Sequence, residues 1–133
     1  MPERLVIDAS AAVFLATSRR GFEGLTAYEL VAPPLLWSES LSALHQAVYR
    51  RAISAELAVA ARQALAIAPI TRMEPSELAD SAWQIADALG WAKTYDAEYV
   101  ALAHIAGLRL LTRDRRLARG AADTVRVVGP MDL

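Results

Sequence analysis

The sequence predicts an α/β fold: a single domain, residues 1–133, with a central parallel sheet covered by helices on both faces. Three observations predict it. Short apolar, β-branched runs such as Leu5-Val6-Ile7, Leu30-Val31-Ala32 and Val125-Arg126-Val127-Val128 alternate with longer stretches of helical periodicity. Buried strands alternating with helices are the pattern of a parallel sheet. The chain has 133 residues, 55% hydrophobic and 22% charged. That is enough for one domain with a core of its own, and it excludes intrinsic disorder. No linker, internal repeat or low-complexity tract divides the chain.

Leu5-Val6-Ile7 reads as a buried strand that stops at Asp8. Ser10 is placed to cap a helix through Ala11, Val13 and Phe14, which ends at Arg19-Arg20-Gly21. Residues 22–29 are ambiguous between a short helix and a loop, and the segment 20–30 carries no motif. Leu30-Val31-Ala32 is a second short strand, and Pro33-Pro34 is a turn that can open a helix. From Leu35 to Arg51 the spacing of Trp37, Leu41, Leu44 and Val48 predicts a helix with that stripe inward. Ser54 caps an alanine-rich helix that Pro69 stops near Ala68, and Ile70–Met73 is a short extended piece. Glu74-Pro75-Ser76-Glu77 looks like another helix start, with Leu78, Trp83 and Ile85 inside the helix and Gly90 after it. Thr94 opens a helix through Tyr95, Tyr99, Leu102 and Ile105 that ends at Gly107. Arg109–Thr112 is a strand, Asp114 leads into a short basic helix, and Val125–Val128 is a last strand before Gly129-Pro130.

Composition narrows the chemistry. There is no cysteine, which excludes disulfides, thiolate metal sites and a cysteine nucleophile. His45 and His104 are the two histidines, too few for a histidine-rich metal site. The net charge is −1, so the chain is not a generally basic nucleic-acid binder. Lys93 is its one lysine, and the other 13 basic residues are arginine. Neither a signal peptide nor a membrane span is legible, and a cytoplasmic location is the default expectation.

The position of certain acids is the most informative feature. Asp8 directly follows one strand, and Asp114 lies two residues beyond another. Ligand sites of open α/β sheets lie past the carboxyl ends of the strands, so both should project into one rim. Glu39 falls early in a helix, off the Trp37–Leu41–Leu44–Val48 stripe, and Asp96 falls in the first turn of the helix after Thr94. Taken singly, each acid is equally well a turn or cap residue. Together, four carboxylates converging on one rim repel one another unless a cation or protons compensate. With cysteine absent and histidine scarce, the donors are oxygens, which favours Mg²⁺ or Mn²⁺ over Zn²⁺.

These residues carry a resemblance. Val6-Ile7-Asp8-Ala9-Ser10 resembles the opening motif of PIN domains, a small ribonuclease fold, and Leu36–Leu44, with Glu39, resembles the second motif. Tyr95–Ala103, with Asp96, and Leu110–Leu117, with Asp114, are similar to the third and fourth. Order, spacing and length over nearly the whole chain are similar to the VapC toxins of toxin–antitoxin pairs. The resemblance implies an endoribonuclease dependent on Mg²⁺ or Mn²⁺, with Asp8 and Asp96 most directly tied to the metal and Glu39 and Asp114 as the other motif acids. It implies that Ser10 and Thr112 are small polar partners hydrogen-bonding beside the metal. It also implies a homodimer silenced by a cognate VapB-type antitoxin, a structured RNA target such as tRNA or ribosomal RNA, and products with a 5′-phosphate and a 3′-hydroxyl. Ser40 departs from the apolar residue that many relatives carry after the glutamate. It leaves Glu39 intact.

RNA must reach an acidic cleft against repulsion. Arg113, Arg115, Arg116 and Arg119 flank Asp114 and are candidates for backbone phosphate contacts, although a solvated helix face explains them as well. His45, His104, Trp37, Trp83 and Trp91 read first as packing or interface residues. Glu98 lies about 200° around the helix from Asp96 and is a weak ligand candidate. The alternative to an enzyme is a non-catalytic PIN-fold module that binds RNA or protein. The four intact acids argue against it.

Overall fold

The computed structural model describes the whole sequence, Met1–Leu133. Strand β1 (Glu3–Ile7) is its centre. Leu5, Val6 and Ile7 are fully buried although successive side chains of a strand point to opposite faces. Both faces of the sheet are therefore covered, and each of these side chains contributes roughly 1.5–3 kcal/mol of burial. Around β1 the sheet has five parallel strands: β2 (Tyr28–Ala32), β3 (Ile70–Arg72), β4 (Arg109–Leu111) and β5 (Val127–Val128), in the order β3-β2-β1-β4-β5. Leu5 stands beside Leu30 on one side and Arg109 on the other.

That order determines where a site can form. The chain builds outward from β1 through β2 to β3, then returns to the other side of β1 for β4 and β5. The direction reverses between β1 and β4, so a crevice opens at their carboxyl ends. Helix α1 (Ala9–Ala16) leaves β1, and α6 (Arg115–Ala121) follows β4. At the opposite end of this strand pair, Arg109 of β4 donates two hydrogen bonds to Glu3 of β1, at 2.7 and 2.8 Å.

The remaining helices are α2 (Leu35–Tyr49), α3 (Ala55–Ala66), α4 (Leu78–Leu89) and α5 (Tyr95–Ala106). Helices α1, α2 and α3 pack together, and α4 packs along α5. Gly90 and Gly107 end α4 and α5 at φ of 71° and 68°, the left-handed C-cap conformation that glycine adopts without a Cβ clash.

The local reading needs adjustment at several points, the first being the end of α1, which stops at Ala16, short of Arg19-Arg20-Gly21. Asp8, not Ser10, caps α1. The ambiguous segment becomes a 3-10 turn at Gly21–Leu25, and β2 starts at Tyr28, two residues before the apolar run. The last strand keeps only Val127–Val128. The buried stripe of α2 is Leu36, Ser40, Leu44 and Ala47, while Leu41 is exposed. Leu44 belongs to both the expected and the observed stripe, and apolar spacing alone does not separate two stripes rotated by one residue.

Candidate active site

Asp8 stands at the reversal point between β1 and β4. Its backbone N–H donates to Leu111 O at 3.1 Å, continuing the β1–β4 ladder by one residue. Its side chain turns back to cap α1. Oδ1 accepts from Ala11 N at 2.9 Å and from Ser10 Oγ at 2.7 Å, while Oδ2 accepts from Thr112 Oγ1. The carboxylate is buried. Burial pushes its pKa up to about 6, against the pull of these three donors, and the charge of Asp96 pushes the same way. Ser10 and Thr112 in turn accept from the backbone N–H groups of Arg113, at 2.9 Å, and Asp114, at 3.0 Å. The start of α1 and the start of α6 are thus tied through one carboxylate and two hydroxyls.

Asp114 caps α6, with Oδ1 accepting from Arg116 N at 2.9 Å and Leu117 N at 3.2 Å. One carboxylate oxygen is committed to the helix terminus, and Oδ2 is left for other partners. Asp96 is the second residue of α5, where a negative charge is favoured by the helix dipole. It is half-buried, and its proton affinity is raised by burial and by Asp114, then lowered by Arg116. Glu39, on α2, is held from the side by a residue that sequence reasoning missed. Tyr99 is fully buried in α5 and donates its hydroxyl to Glu39 Oε1 at 2.7 Å. Burial raises the pKa of Glu39, Tyr99 lowers it, and Asp96 raises it again. Tyr99 lies three residues after Asp96, the spacing that puts two side chains on one helix face. That spacing was the available signal.

Asp96 is the electrostatic hub: its charge is felt at Asp8 and at Glu39, and it feels Asp114. The four acids therefore share one field. No three of them are grouped closely enough to ligate one ion directly in this conformation. An all-oxygen set spaced this way suits a hard cation that keeps several of its own waters, as Mg²⁺ does. Glu98 is raised by burial, by Glu39 and by Glu74, and opens into a neighbouring cleft beside exposed Trp83.

The four candidate arginines are dispersed. Arg116 lines the cleft that contains Glu39 and Asp96. Arg113 lays its guanidinium over the Phe14 ring, 4.1 Å from the centroid, a cation–π contact. Arg115 faces a separate cleft with Asp114 and Asp132. Arg119 is exposed in the last turn of α6. Lys93 lines the acidic cleft and was not singled out from the sequence as a binding residue.

Comparison with known proteins agrees with this architecture. The family model for the PIN domain matches residues 5–123. The chain is 41% identical over 123 residues to Ribonuclease VapC3 of two Mycobacterium tuberculosis strains, covering 89% of this chain and 88% of the relative. Among solved structures, PAE2754 from Pyrobaculum aerophilum superposes with a TM-score of 0.74 at 25% identity, over 97% of this chain and 92% of that one. FitAcB from Neisseria gonorrhoeae shares the fold, with a TM-score of 0.61 at 16% identity, over 97% and 99% of the two chains. With Asp8 and Asp114 at the β1–β4 reversal and this likeness along the chain, the protein belongs to the PIN domain family and is a homologue of the VapC ribonucleases.

Proposed function

We propose that this protein is a Mg²⁺- or Mn²⁺-dependent endoribonuclease acting as the toxin of a toxin–antitoxin pair. The observation that carries this reading is the charge coupling of Asp8, Glu39 and Asp114 to Asp96, with Asp8 and Asp114 following the two strands at the β1–β4 reversal, in a chain 41% identical to a ribonuclease. Asp8 and Asp96 would hold the ion most directly, with Glu39 and the free oxygen of Asp114 reaching it through its bound waters. A divalent ion bound there would lower the pKa of a water and offset charge on the phosphate. Ser10 and Thr112 keep both oxygens of Asp8 oriented. Tyr99 holds Glu39 through the hydrogen bond to its Oε1, and Arg116 faces the cleft of Glu39 and Asp96 for a backbone phosphate. The same reading places the protein in the cytoplasm as a homodimer held inactive by a VapB-type antitoxin, with a tRNA or ribosomal RNA target. No helix is long and apolar enough to cross a membrane.

The test is cleavage of total bacterial RNA by the wild type and by Asp96→Asn in Mg²⁺, Mn²⁺ and EDTA, with the product ends mapped. Discrete cuts that need the metal, disappear in the variant and leave 5′-phosphates are expected. A folded wild type that neither binds the metal nor cuts RNA would overturn the reading and favour a non-catalytic binding module.

A further inference from the structure

Helix α5 begins with two tyrosines one turn apart that have opposite fates. Tyr99 is fully buried against the core, whereas Tyr95, adjacent to Asp96, is 54% exposed. Tyr95 lines two clefts at once. On one side is a cleft of about 540 Å³ that holds Glu39, Asp96, Lys93 and Arg116. On the other is a cleft of about 410 Å³ that holds Glu39, Gln46 and Arg50. Tyr95 and Glu39 are the residues common to both, so together they form a ridge between them. Glu39 and Asp96 stand at this ridge, and cations stand on each side of it.

We infer that Tyr95 is the base-stacking residue of this site, with one unpaired base of the RNA on its ring and the strand's backbone held by Lys93 and Arg116 on one side and Arg50 on the other. This rests on the ribonuclease reading and adds to it the residue that grips a base beside the acids. A carboxylate cluster repels phosphate, so affinity must come from cations beside it and from contacts that carry no charge. An exposed aromatic ring supplies the second, because every base has a π-face. The bases of a duplex are stacked on one another and offer no face to a side chain, so stacking requires an unpaired nucleotide. Trp91, in the same cleft, does not compete for this role. A Cβ on Gly120 of α6 would lie 2.7 Å from Trp91 Cζ2, so the indole is packed against the α6 backbone and forms a wall. Tyr95 is the ring left free.

Fluorescence anisotropy with a labelled, unstructured oligoribonucleotide and with its duplex tests this, with Ca²⁺ in place of Mg²⁺ to suppress turnover. The wild type is expected to bind the unpaired strand more tightly than the duplex. Tyr95→Ala should weaken unpaired-strand binding by about 5- to 150-fold, the range of one base–aromatic stack, and leave duplex binding unchanged. Tyr95→Phe should bind like the wild type, because the ring is what stacks. Coincident thermal melts would show that all three are folded. A wild type that cuts RNA while Tyr95→Ala binds as tightly as it does would overturn this inference and leave the ribonuclease reading standing. Equal losses in Tyr95→Phe and Tyr95→Ala would overturn it as well, by assigning the effect to the hydroxyl. A wild type that neither binds nor cuts either form would overturn both.

Discussion

Asp8 concentrates the conflict between stability and chemistry. Its folded pKa, about 6, lies above the ordinary 3.8 because burial disfavours the charge. The folded state therefore binds a proton that the unfolded state releases between these values. The associated stability is fully present below about pH 4 and is lost as pH rises through about 6, some 3 kcal/mol in all. Metal-free protein should melt at a lower temperature at pH 7 than at pH 5, and Asp8→Asn should remove most of that slope. A thermal-melting series in EDTA reads this directly, and a flat wild-type profile would place Asp8 in a solvated setting. Tyr99→Phe isolates a second residue. The ring stays in the core while Glu39 loses its donor, at a cost of about 1.5 kcal/mol for a hydrogen bond to a charged group. Its expected signature is a several-fold weaker Mn²⁺ affinity in an electron paramagnetic resonance titration, with the circular dichroism spectrum unchanged.

Helix α6 shows how an element serves the site through its backbone. Asp114 caps it, and Gly120 lets Trp91 approach it closely. Alanine is a better helix former than glycine by about 1 kcal/mol, so Gly120→Ala would stabilise an isolated helix. Here the added methyl meets an aromatic ring at 2.7 Å, and overpacking costs about 1–3 kcal/mol. Net destabilisation is expected, with a shift in tryptophan fluorescence as the cleft wall moves. Urea denaturation followed by emission measures both. Helix α2 shows the limit of periodicity. Its helical character was readable from residues 35–51, but the stripe runs through Ser40 rather than Leu41. Neighbouring stripes share Leu44, and the packing of α1 and α3 on α2 selects between them.

Across the whole molecule, the acids repel one another through the Asp96 hub, and a cation relieves that repulsion. Mn²⁺ or Mg²⁺ at about a hundred times its dissociation constant should stabilise the fold by about 2.7 kcal/mol. That gain should vanish in Asp96→Asn, and differential scanning fluorimetry across a metal titration would detect it. The absence of any metal-dependent shift in the wild type would remove the basis for assigning these acids to a cation.

Much of this arrangement was legible locally. Apolar runs, caps and breakers are short-range signals, and they yielded the succession of strands and helices, the helix stops at Gly90 and Gly107, the acids that follow β1 and β4, and Asp96 in the first turn of α5; Glu39 falls one turn later in α2 than its spacing suggested. Other features depended on contacts between residues far apart in the chain. Ser10 read as a cap because capping preference is local, but the β1–β4 pairing puts Thr112 opposite Asp8, and the carboxylate turns inward to take both hydroxyls. Glu39 and Tyr99 meet across 60 residues of sequence. Of the four arginines around Asp114, only Arg116 faces the cleft of Glu39 and Asp96. Which way a side chain points depends on the elements packed against its own, and the strand order that sets that packing follows from long-range burial, which no local spacing encodes.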